Sequence, residues 1–490
     1  MMNKRFNSIC FILLSCSLLL AQAPSKFYNK FGGFGSEQGY QIKETYNRQY
    51  ILCGVTGSYG YGGNDAFLML IDSMGQKIWE KNYGGALTDV AKSVLFNPAD
   101  SGYFFAGYSN SIGNGGYDVY AVRTDKTGNI IWQNSFGGLD WDFGEELIFS
   151  NDGNLIVCGK TYSKKYGKSD ACIYKINSAN GQLMWEKVYG GPENDDFRSV
   201  ILTTDNYLVF AGRTESYQDI AGDMYLMKTN LNGDSVLFKS YGLKNKNDYA
   251  NCVAAETNTA FILGGGSESY AEALTDAFIF KITANGDSVW LRNYGNNGLS
   301  QEATDVFYIN NNAGTYAIAY SDINFAFYKR DPKGLILNVQ GYYITGNSFG
   351  ENEDEELHHV TKTSDKGFIG VGYTKSYGSV LEDIYVVKFD STFLYGGKLI
   401  NVKNLAKPNN HLKVYPTLLN SVQTEITIEY AGNFSYFIYD LTGRSIINET
   451  TVNNTDVDKY ILDTKNLENG FYFLNIRIDT SIYSVKLIKN

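Results

Sequence analysis

Histidine and cysteine are scarce in this chain of 490 residues. Only three histidines occur, His358, His359 and His411, together with six cysteines. A Ser-His-Asp triad or a multi-histidine metal site therefore has almost no residues from which to form. The composition predicts no metal site and no cofactor.

Proline is also rare, and basic residues are outnumbered. The chain has 6 prolines, and its 42 Lys and Arg residues face 52 Asp and Glu residues, for a net charge of −10. An acidic protein is a poor binder of phosphate backbones, so no nucleic-acid partner is expected. The 51 glycines and 39 tyrosines favour β-structure with many glycine turns.

Long apolar runs are absent except at the start of the chain. Ile9 to Leu20 is apolar, follows a basic start and precedes the small-residue pattern Ala21-Gln22-Ala23. This pattern predicts a signal peptide over residues 1–23, with Pro24 just after the cut. The run is too short to span a bilayer, so a membrane anchor is not expected. A second interpretation takes Cys16 as a lipid-attachment site, but the apolar run continues beyond it.

Four cysteines remain after removal of the leader: Cys53, Cys158, Cys172 and Cys252. Cys53 and Cys158 occupy the repeat position that Ala106 fills elsewhere, which predicts small buried side chains. Cys158 and Cys172 could face each other across a hairpin, although their spacing is not that of a disulfide framework.

An aromatic-glycine pattern repeats along most of the chain. It begins at Phe31, Tyr83, Phe136, Tyr189, Tyr241 and Tyr294, in steps of 52 or 53 residues. A period of this length predicts a repeat architecture.

Each repeat has the size of a four-stranded propeller blade. In the second copy, alternating hydrophobicity predicts strands over Ala91–Phe96, Tyr103–Tyr108, Val119–Thr124 and Asn129–Ser135. We name these strands A to D. Strand D carries a large aromatic residue that we expect to pack between blades, at Trp79, Trp132, Trp185, Phe238 and Trp290.

The ends of the repeat region complement each other. Lys26–Gly33 aligns with Ile78–Gly85, so the mature chain begins with a lone strand D, whereas the last copy lacks that strand. Pairing the two would cover an open edge. The prediction is an all-β protein with a seven-bladed β-propeller of four-stranded blades over residues 24–400, closed by the N-terminal strand. An open solenoid is the alternative.

The repeat stops after Leu399, and 401–410 reads as a linker before a small Ig-like β-sandwich over 411–490. Short segments there end at the chain terminus and carry a combined pattern: Tyr415, Pro416, Asp440, Gly443, Arg444, Gly470, Tyr472, Lys486 and Lys489. The pattern resembles the type A C-terminal sorting domain of the type IX secretion system, the Por secretion tail. Thr417-Leu418 stands where that family usually has Asn-Pro.

This resemblance implies how the protein is delivered. In the family, an outer-membrane translocon reads the tail, and a sortase-like peptidase usually removes it. The cargo is then attached to surface lipopolysaccharide or released. The resemblance therefore implies an outer-membrane surface or extracellular location. The repeats also look like propeller repeats that precede such tails, which implies a shape rather than an activity.

One end of the propeller is the predicted ligand face, because the D–A and B–C loops share it. The B–C loops carry Tyr59, Tyr217, Tyr270 and Tyr377, and end in acids at Asp65, Asp118, Asp170, Asp223, Asp276 and Asp383. The D–A loops carry a second set of acids: Glu37, Asp89, Asp142, Asp196, Asp248 and Glu355. The functional interpretation is a carboxylate and tyrosine platform for sugar hydroxyls or bridging cations, with Tyr59, Tyr217, Tyr270, Tyr377, Asp65, Asp118, Asp223 and Asp276 as binding residues. The structural interpretation is that the repeated acids fix turns.

The sequence favours a monomeric, non-enzymatic binding or adhesion module with a glycan or an extracellular protein as ligand. The alternative is a glycoside hydrolase that uses paired carboxylates. His358 and His359 adjoin in a predicted strand, where alternation would send their rings to opposite faces. No catalytic residue is predicted.

Overall fold

The protein is described by a computed structural model that covers residues 26–164, 166–217, 220–271, 274–295, 299–309, 314–324, 329–350, 353–376, 381–394, 413–415, 418–419, 425–429, 433–440, 445–452, 459–478 and 481–489. The predicted signal peptide, its predicted cleavage position and the predicted linker lie outside these residues. The chain divides into two compact units, Met1–Gly397 and Lys398–Asn490.

The described part of the first unit consists of strands and one 3-10 turn, Tyr46–Arg48. The strands are β1 (Phe27–Phe31), β2 (Glu37–Glu44), β3 (Tyr50–Thr56), β4 (Asp65–Ile71), β5 (Lys77–Tyr83), β6 (Asp89–Phe96), β7 (Tyr103–Ser109), β8 (Asp118–Thr124), β9 (Ile130–Phe136), β10 (Asp142–Phe149), β11 (Leu155–Thr161), β12 (Asp170–Ile176), β13 (Leu183–Tyr189), β14 (Asp195–Leu202), β15 (Leu208–Thr214), β16 (Asp223–Thr229), β17 (Ser235–Tyr241), β18 (Asp248–Thr257), β19 (Ala260–Ser267), β20 (Asp276–Thr283), β21 (Ser288–Tyr294), β22 (Ser300–Ile309), β23 (Thr315–Asn324), β24 (Lys329–Leu337), β25 (Tyr343–Ser348), β26 (Glu355–Lys362), β27 (Phe368–Thr374) and β28 (Asp383–Phe389). In the second copy, β6 to β9 lie within two residues of the predicted bounds.

These strands form seven antiparallel four-stranded sheets. We number them as blade 1 (β2–β5), blade 2 (β6–β9), blade 3 (β10–β13), blade 4 (β14–β17), blade 5 (β18–β21), blade 6 (β22–β25) and blade 7 (β26–β28 with β1). The predicted all-β architecture of repeated four-stranded sheets is confirmed. Among the described residues, no helix is long and apolar enough to cross a bilayer.

The first strand completes the last blade. β1 pairs antiparallel with β28, from Phe27 opposite Lys388 to Phe31 opposite Ile384. Two ion pairs flank this pairing: Lys26 with Asp390 at 2.8 Å and Lys30 with Asp383 at 2.8 Å. The strand that begins the repeat region thus covers the edge that would otherwise be open, as the sequence predicts.

A hydrophobic cluster fills each of the seven junctions between neighbouring blades. The middle strands β3 and β4 are buried along their whole length, because both of their faces meet another blade. The closing cluster packs Ile369 and Val386 of blade 7 against Ile42 and Leu52 of blade 1. The blades therefore form a closed ring, which is a β-propeller.

Strand D aromatics join each blade to the next. A Cβ added to Gly128 of blade 2, where φ is +79°, would lie 3.1 Å from the ring of Trp79 in blade 1. The hydroxyl of Tyr83 donates to the Gly128 carbonyl at 2.8 Å. The prediction for Phe238 is wrong, because Leu237 occupies the equivalent position and contacts the turn at Gly286.

The cysteines of the propeller are all buried and free. Cys158 lies opposite Ile173 and Cys172 lies opposite Gly159, so the two cysteines are not cross-strand partners. Their burial agrees with the predicted role as small core residues.

The second unit has two sheets around one core. Its described strands are β29 (Lys413–Tyr415), β30 (Leu418–Leu419), β31 (Glu425–Glu429), β32 (Phe434–Asp440), β33 (Ser445–Val452), β34 (Lys459–Asp463), β35 (Gly470–Ile478) and β36 (Ser481–Lys489). One sheet has the order β29-β31-β34 and the other β30-β36-β35-β32-β33. Ile426 and Ile428 of the first sheet share a hydrophobic cluster with Ile438 and Leu474 of the second. This arrangement is a β-sandwich, and its Ig-like classification stays a prediction.

Candidate functional site

The D–A and B–C connections lie at one end of the ring, because strand direction alternates within each antiparallel sheet. The two kinds of connection also touch. A Cβ added to Gly62, in a B–C loop, would lie 2.3 Å from the carbonyl oxygen of Ala86 in the following D–A loop. The same relation recurs between Gly167 and Gly191, at 2.2 Å. We call this end of the propeller the loop face.

In six of the seven blades strand C begins with an acid, and these acids are buried at the loop-face end of the strands. The six acids Asp65, Asp118, Asp170, Asp223, Asp276 and Asp383 are at most 8% exposed. Asp65 accepts a hydrogen bond from the backbone N–H of Tyr61 at 3.0 Å, and Asp118 accepts one from Asn114 at 2.7 Å. Burial raises the pKa of both carboxyls.

Asp223 and Asp276 are placed in the same way. A Cβ added to Gly242 would lie 1.9 Å from Oδ1 of Asp223, and one added to Gly295 would lie 2.2 Å from Oδ1 of Asp276. The backbone at Gly242 and Gly295 therefore passes close to these two acids. Asp65, Asp118, Asp223 and Asp276 are at most 6% exposed, and their role in binding stays a prediction.

The acids at the start of strand A fasten the D–A and B–C loops together. Asp89 accepts hydrogen bonds from the backbone N–H of Gly85 and from the hydroxyl of Ser111, each at 2.7 Å. It also accepts a short hydrogen bond from Ser109. Glu37, Asp142, Asp195, Asp248 and Glu355 make similar contacts in their blades. These hydrogen bonds agree with the structural interpretation, in which the repeated acids fix turns.

One of the predicted acids was assigned to the wrong position. Asp195, not Asp196, accepts the hydrogen bonds of Gly191 and Ser216 in blade 4. Asp196 instead accepts a hydrogen bond from Arg198 Nε at 2.9 Å, on the inner side of the ring. Asp195 and Asp196 are adjacent acids at this point of the repeat, and the sequence pattern alone does not separate them.

The predicted tyrosines remain on the loop face. Tyr59, Tyr217 and Tyr270 are 51%, 44% and 42% exposed. The hydroxyl of Tyr217 donates to the carbonyl of Gly190 at 3.0 Å, and its ring centroid lies 4.4 Å from that of Phe238. Tyr377 lies outside the described residues. Their role in binding stays a prediction.

Other side chains of the loop face are more strongly exposed than these tyrosines. The loop face exposes Phe34 (102%), Leu139 (88%), Tyr166 (75%), Ile220 (75%), Tyr61 (72%) and Trp141 (54%). The sequence interpretation missed them because it looked for residue types that repeat in every blade, and these side chains differ from loop to loop. Their signal is an apolar residue within a glycine-rich connection, where polar residues are expected.

The centre of the ring holds a cavity of about 530 Å³, lined by the innermost strands of all seven blades. Each innermost strand contains a β-bulge at the same place, for example between Gly39 and Gln41 or between Ala91 and Ser93. A bulge leaves one residue unpaired and frees a backbone group. The residues after the seven bulges, which we call the belt, are Gln41, Ser93, Glu146, Ser199, Cys252, Asp305 and His359.

Each belt side chain accepts a hydrogen bond from a backbone N–H in the next blade. The donors are Val94 to Gln41 (2.7 Å), Leu147 to Ser93 (3.0 Å), Val200 to Glu146 (2.7 Å), Val253 to Ser199 (3.2 Å), Val306 to Cys252, Val360 to Asp305 (2.7 Å) and Ile42 to His359 (3.5 Å). Burial raises the pKa of Glu146 and Asp305 and lowers that of His359. The belt side chains therefore link each blade to the next through backbone N–H groups.

His358 and His359 both line this cavity, so the prediction that their rings point to opposite faces is wrong. The bulge between Leu357 and His359 interrupts the alternation on which that prediction rested. His358 Nδ1 lies 3.0 Å from the carbonyl oxygen of Gly39, and His359 lies in the belt. Among the described residues, no group of three or more His, Cys, Asp or Glu is placed to hold a metal ion.

In the second unit, six of the nine predicted sorting residues lie on described strands: Tyr415, Asp440, Gly470, Tyr472, Lys486 and Lys489. Pro416, Gly443 and Arg444 lie outside the described residues. Tyr472 donates to the Glu468 carbonyl at 2.8 Å. The buried ammonium of Lys489 donates to the carbonyls of Thr464 (2.6 Å) and Lys465 (3.0 Å). Tyr472 and Lys489 therefore hold the turn before β35 in place.

Residues 413–490 match the family model described as a secretion system C-terminal sorting domain. The chain carries a type IX sorting domain, which follows the propeller in the sequence. This sorting domain marks a protein that is secreted through the type IX machinery and is found at the outer-membrane surface or outside the cell. The predicted resemblance and location are confirmed.

The chain is similar to other known proteins at low identity. The regulatory protein FlaEY of Caulobacter vibrioides is 24% identical over 206 residues, which cover 37% of this chain and 20% of that protein. The match thus spans one fifth of the curated relative.

Similar solved structures include the Dos1 propeller, with 11% identity, a TM-score of 0.43 and coverage of 74% of this chain and 96% of that chain. The β-propeller domain of the Trilobed protease from Pyrococcus furiosus has 9% identity, a TM-score of 0.42 and coverage of 73% and 94%. The polysaccharide lyase Uly1 has 11% identity, a TM-score of 0.38 and coverage of 72% and 90%. The assignment of the fold rests on the strand pairing described above.

Proposed function

We propose that this protein is an exported binding module whose loop face contacts a macromolecule outside the cell. The observation that carries the proposal is the exposure of Phe34, Leu139, Tyr166 and Ile220, each at least 75% exposed at the same end of the ring. Large exposed apolar side chains that share one face of a soluble protein are typical of interaction sites.

The loops that present these side chains are fixed from below. Asp65, Asp89 and Asp118 hold the loop backbones through hydrogen bonds with backbone N–H groups. A fixed loop loses little conformational entropy when a ligand binds, which favours affinity. The repeated acids thus contribute to binding as supports, not as ligand contacts.

An extracellular protein fits this face better than a polyhydroxy ligand. The four carboxylates predicted to accept bonds from sugar hydroxyls or to bind a bridging cation, Asp65, Asp118, Asp223 and Asp276, are buried. The exposed set instead combines aromatic rings (Tyr61, Trp141 and Tyr166) with aliphatic side chains (Leu139 and Ile220). Aromatic residues are enriched at protein interfaces, where they contribute large contact areas.

The proposed role is non-enzymatic. A glycoside hydrolase needs two carboxyl groups that can reach the substrate. Asp65 and Asp118, two of the acids predicted to bind a ligand, are at most 2% exposed and accept hydrogen bonds from loop backbone. The burial of these two acids therefore supports the non-enzymatic role.

The test is binding of the full chain to a panel of extracellular-matrix proteins and to a glycan array. We expect a protein ligand whose binding is weakened by Tyr166→Ser and by Ile220→Ser. The matched control is Met74→Ser, because Met74 is 53% exposed in a C–D turn at the opposite end of the ring. Glycan binding that both loop-face variants weaken would replace the protein ligand with a sugar. Binding that Met74→Ser weakens equally, or an absence of binding, would contradict the proposal.

A further inference from the structure

The loop face departs from the repeat at the junction of blades 2 and 3. There the backbone N–H of Asp142 donates to the carbonyl of Tyr117 at 2.6 Å. The backbone N–H of Tyr162 donates to the carbonyl of Trp141 at 2.8 Å. These hydrogen bonds place three aromatic residues next to one another, two from B–C loops and one from the D–A loop between them. We call Tyr117, Trp141 and Tyr162 the aromatic triplet.

Four other junctions have the same two backbone hydrogen bonds, but with polar residues or glycine at the three positions. The corresponding residues are Asn64, Thr88 and Asn110; Ser169, Asn194 and Glu215; Gly222, Asn247 and Glu268; and Glu382, Ser36 and Gly57. Some of these side chains bond to each other, as Asn194 does to Glu215 at 2.7 Å. Since the same backbone contacts form with polar side chains, the fold does not require aromatic residues here, which indicates a function for the triplet.

The triplet and Phe143 form one aromatic surface. The ring of Trp141 is in a T-shaped arrangement with those of Tyr117 and Tyr162, at centroid separations of 5.9 and 6.4 Å. The ring of Phe143 lies 5.6 Å from that of Tyr117 and 6.3 Å from that of Trp141. Trp141 is 54% exposed, and the two tyrosines are partly buried. The surface is therefore accessible from solvent, and its rings support one another.

The polar groups of this surface include hydrogen-bond donors without a partner. Among the described residues, none bonds to the indole N–H of Trp141 or to the hydroxyl groups of Tyr117 and Tyr162. An indole N–H can only donate, and a phenol hydroxyl donates as well as accepts. The acids on either side of Trp141, Asp140 and Asp142, already have partners. The surface therefore suits an apolar ligand that carries hydrogen-bond acceptors.

We propose that the aromatic triplet binds a proline-rich, extended segment of a protein partner, an inference that rests on the proposed function. A prolyl residue combines an apolar ring with a carbonyl acceptor and has no N–H of its own. Proline-rich segments bind aromatic-lined surfaces in the polyproline II conformation, which costs little entropy because it is already formed. The same two loops carry Leu139 and Tyr166, which are 88% and 75% exposed, so a longer segment would meet further apolar surface.

The test measures the binding of capped decapeptides to the full chain by isothermal titration calorimetry. One peptide is decaproline, and in a second every third residue is leucine. Both are N-acetylated and C-amidated. The reference is a Gly-Ser decapeptide with the same caps, which is a flexible coil without proline. We expect at least one proline peptide to bind saturably and the reference peptide not to bind.

Variants take their new residue from the other junctions, where the same backbone position already carries it. Trp141→Asn introduces the residue type of Asn194, and should weaken binding of the proline peptide by roughly tenfold or more, as expected for a central aromatic contact. Tyr162→Asn introduces the residue type of Asn110 and should also weaken binding. Thr88→Asn is the matched control, because it makes the same exchange at the junction of blades 1 and 2, and should leave binding unchanged.

Several results would overturn the inference. One is no binding of either proline peptide by a chain whose thermal unfolding shows that it is folded. Others are equal binding of the Gly-Ser peptide, equal binding by Trp141→Asn, or an equal loss in Thr88→Asn. Glycan binding that Trp141→Asn abolishes, without binding of a proline peptide, would assign the triplet to a sugar instead.

Failure here is distinguishable from failure of the proposed function. A matrix protein whose binding is weakened by Tyr166→Ser but not by Trp141→Asn would overturn the role of the triplet and leave the proposed function intact. Binding of a proline peptide through Trp141, without any protein ligand for the loop face, would support the triplet and contradict the proposed function.

Discussion

The carboxyl group of Asp305 accepts a hydrogen bond from the backbone N–H of Val360, 2.7 Å away in the next blade. The bulge at the start of each innermost strand exposes such an N–H, and the belt residue of the preceding blade satisfies it. A buried N–H without an acceptor destabilises a fold, so the belt joins the blades around the cavity.

Removing one belt acceptor should destabilise the propeller. Asp305→Ala leaves the Val360 N–H unsatisfied and should lower the free energy of unfolding by about 1–3 kcal/mol. Asp305→Asn keeps an acceptor oxygen and should lower the free energy of unfolding by a smaller amount. Denaturant unfolding checks this, with Asp205→Ala as the control, because the Asp205 side chain is 39% exposed and 3.9 Å from its partner Lys228. Equal losses in Asp305→Ala and Asp205→Ala would contradict the account.

The stability of the wild type relative to Asp305→Asn should depend on pH. Burial raises the pKa of Asp305 well above its ordinary value of 3.8, so the protonated carboxyl stabilises the folded state. This contribution is fully present below the pKa of the unfolded chain and is lost as pH rises through the folded value. Asparagine has no such titration. Thermal midpoints across an acid-to-neutral series should therefore shift in favour of Asp305→Asn as pH rises, and a constant difference would contradict the burial of a titrating group.

The turn glycines that receive strand D aromatics should tolerate substitution poorly. Gly128→Ala introduces a Cβ at φ +79°, with Trp79 and Tyr83 about 3.0–3.1 Å away. Gly153 has a φ of +75° and nothing within 4 Å of an added Cβ, so Gly153→Ala isolates the backbone strain. Strain alone costs about 1 kcal/mol. Unfolding experiments should show a larger loss for Gly128→Ala, and similar losses in the two variants would mean that the packing contributes nothing.

The buried ammonium of Lys489 should matter for export. Lys489→Met removes both hydrogen bonds to the turn carbonyls of Thr464 and Lys465, which should destabilise the sorting domain. Fractionation of the native host should then show less protein outside the outer membrane. Lys465→Met is the control in the same domain, because the Lys465 side chain is 65% exposed. Normal export of Lys489→Met would show that secretion does not depend on these two hydrogen bonds.

Much of the fold can be read from the sequence because its repeated contacts use repeated residue types. The aromatic-glycine pattern marks the end of strand D, where Tyr83 donates to the turn of the next blade. The N-terminal strand is recognisable because Lys26–Gly33 aligns with a complete strand D. At these sites the same kind of residue recurs at the same position of the repeat, so the pattern can be recognised in the sequence.

Other features cannot be predicted from the sequence, because the position in the repeat is the same while the residue type differs from blade to blade. The belt uses a carboxyl at Asp305, a hydroxyl at Ser93 and an imidazole at His359 for the same hydrogen bond. Alternation misplaced His359 because a bulge shifts the register. The repeated acids could be recognised, but whether Asp65 faced a ligand or the underside of a loop depended on three-dimensional packing.

The central claim is that the loop face meets a macromolecule outside the cell. The most direct measurement places a photo-crosslinking amino acid at Tyr166 or, as a control, at Met74, in the full chain produced by the native host. After irradiation of the culture, the account predicts a cross-linked extracellular partner from position 166 and none from position 74. Exported protein that gives no partner from position 166, or the same partner from both positions, would contradict it.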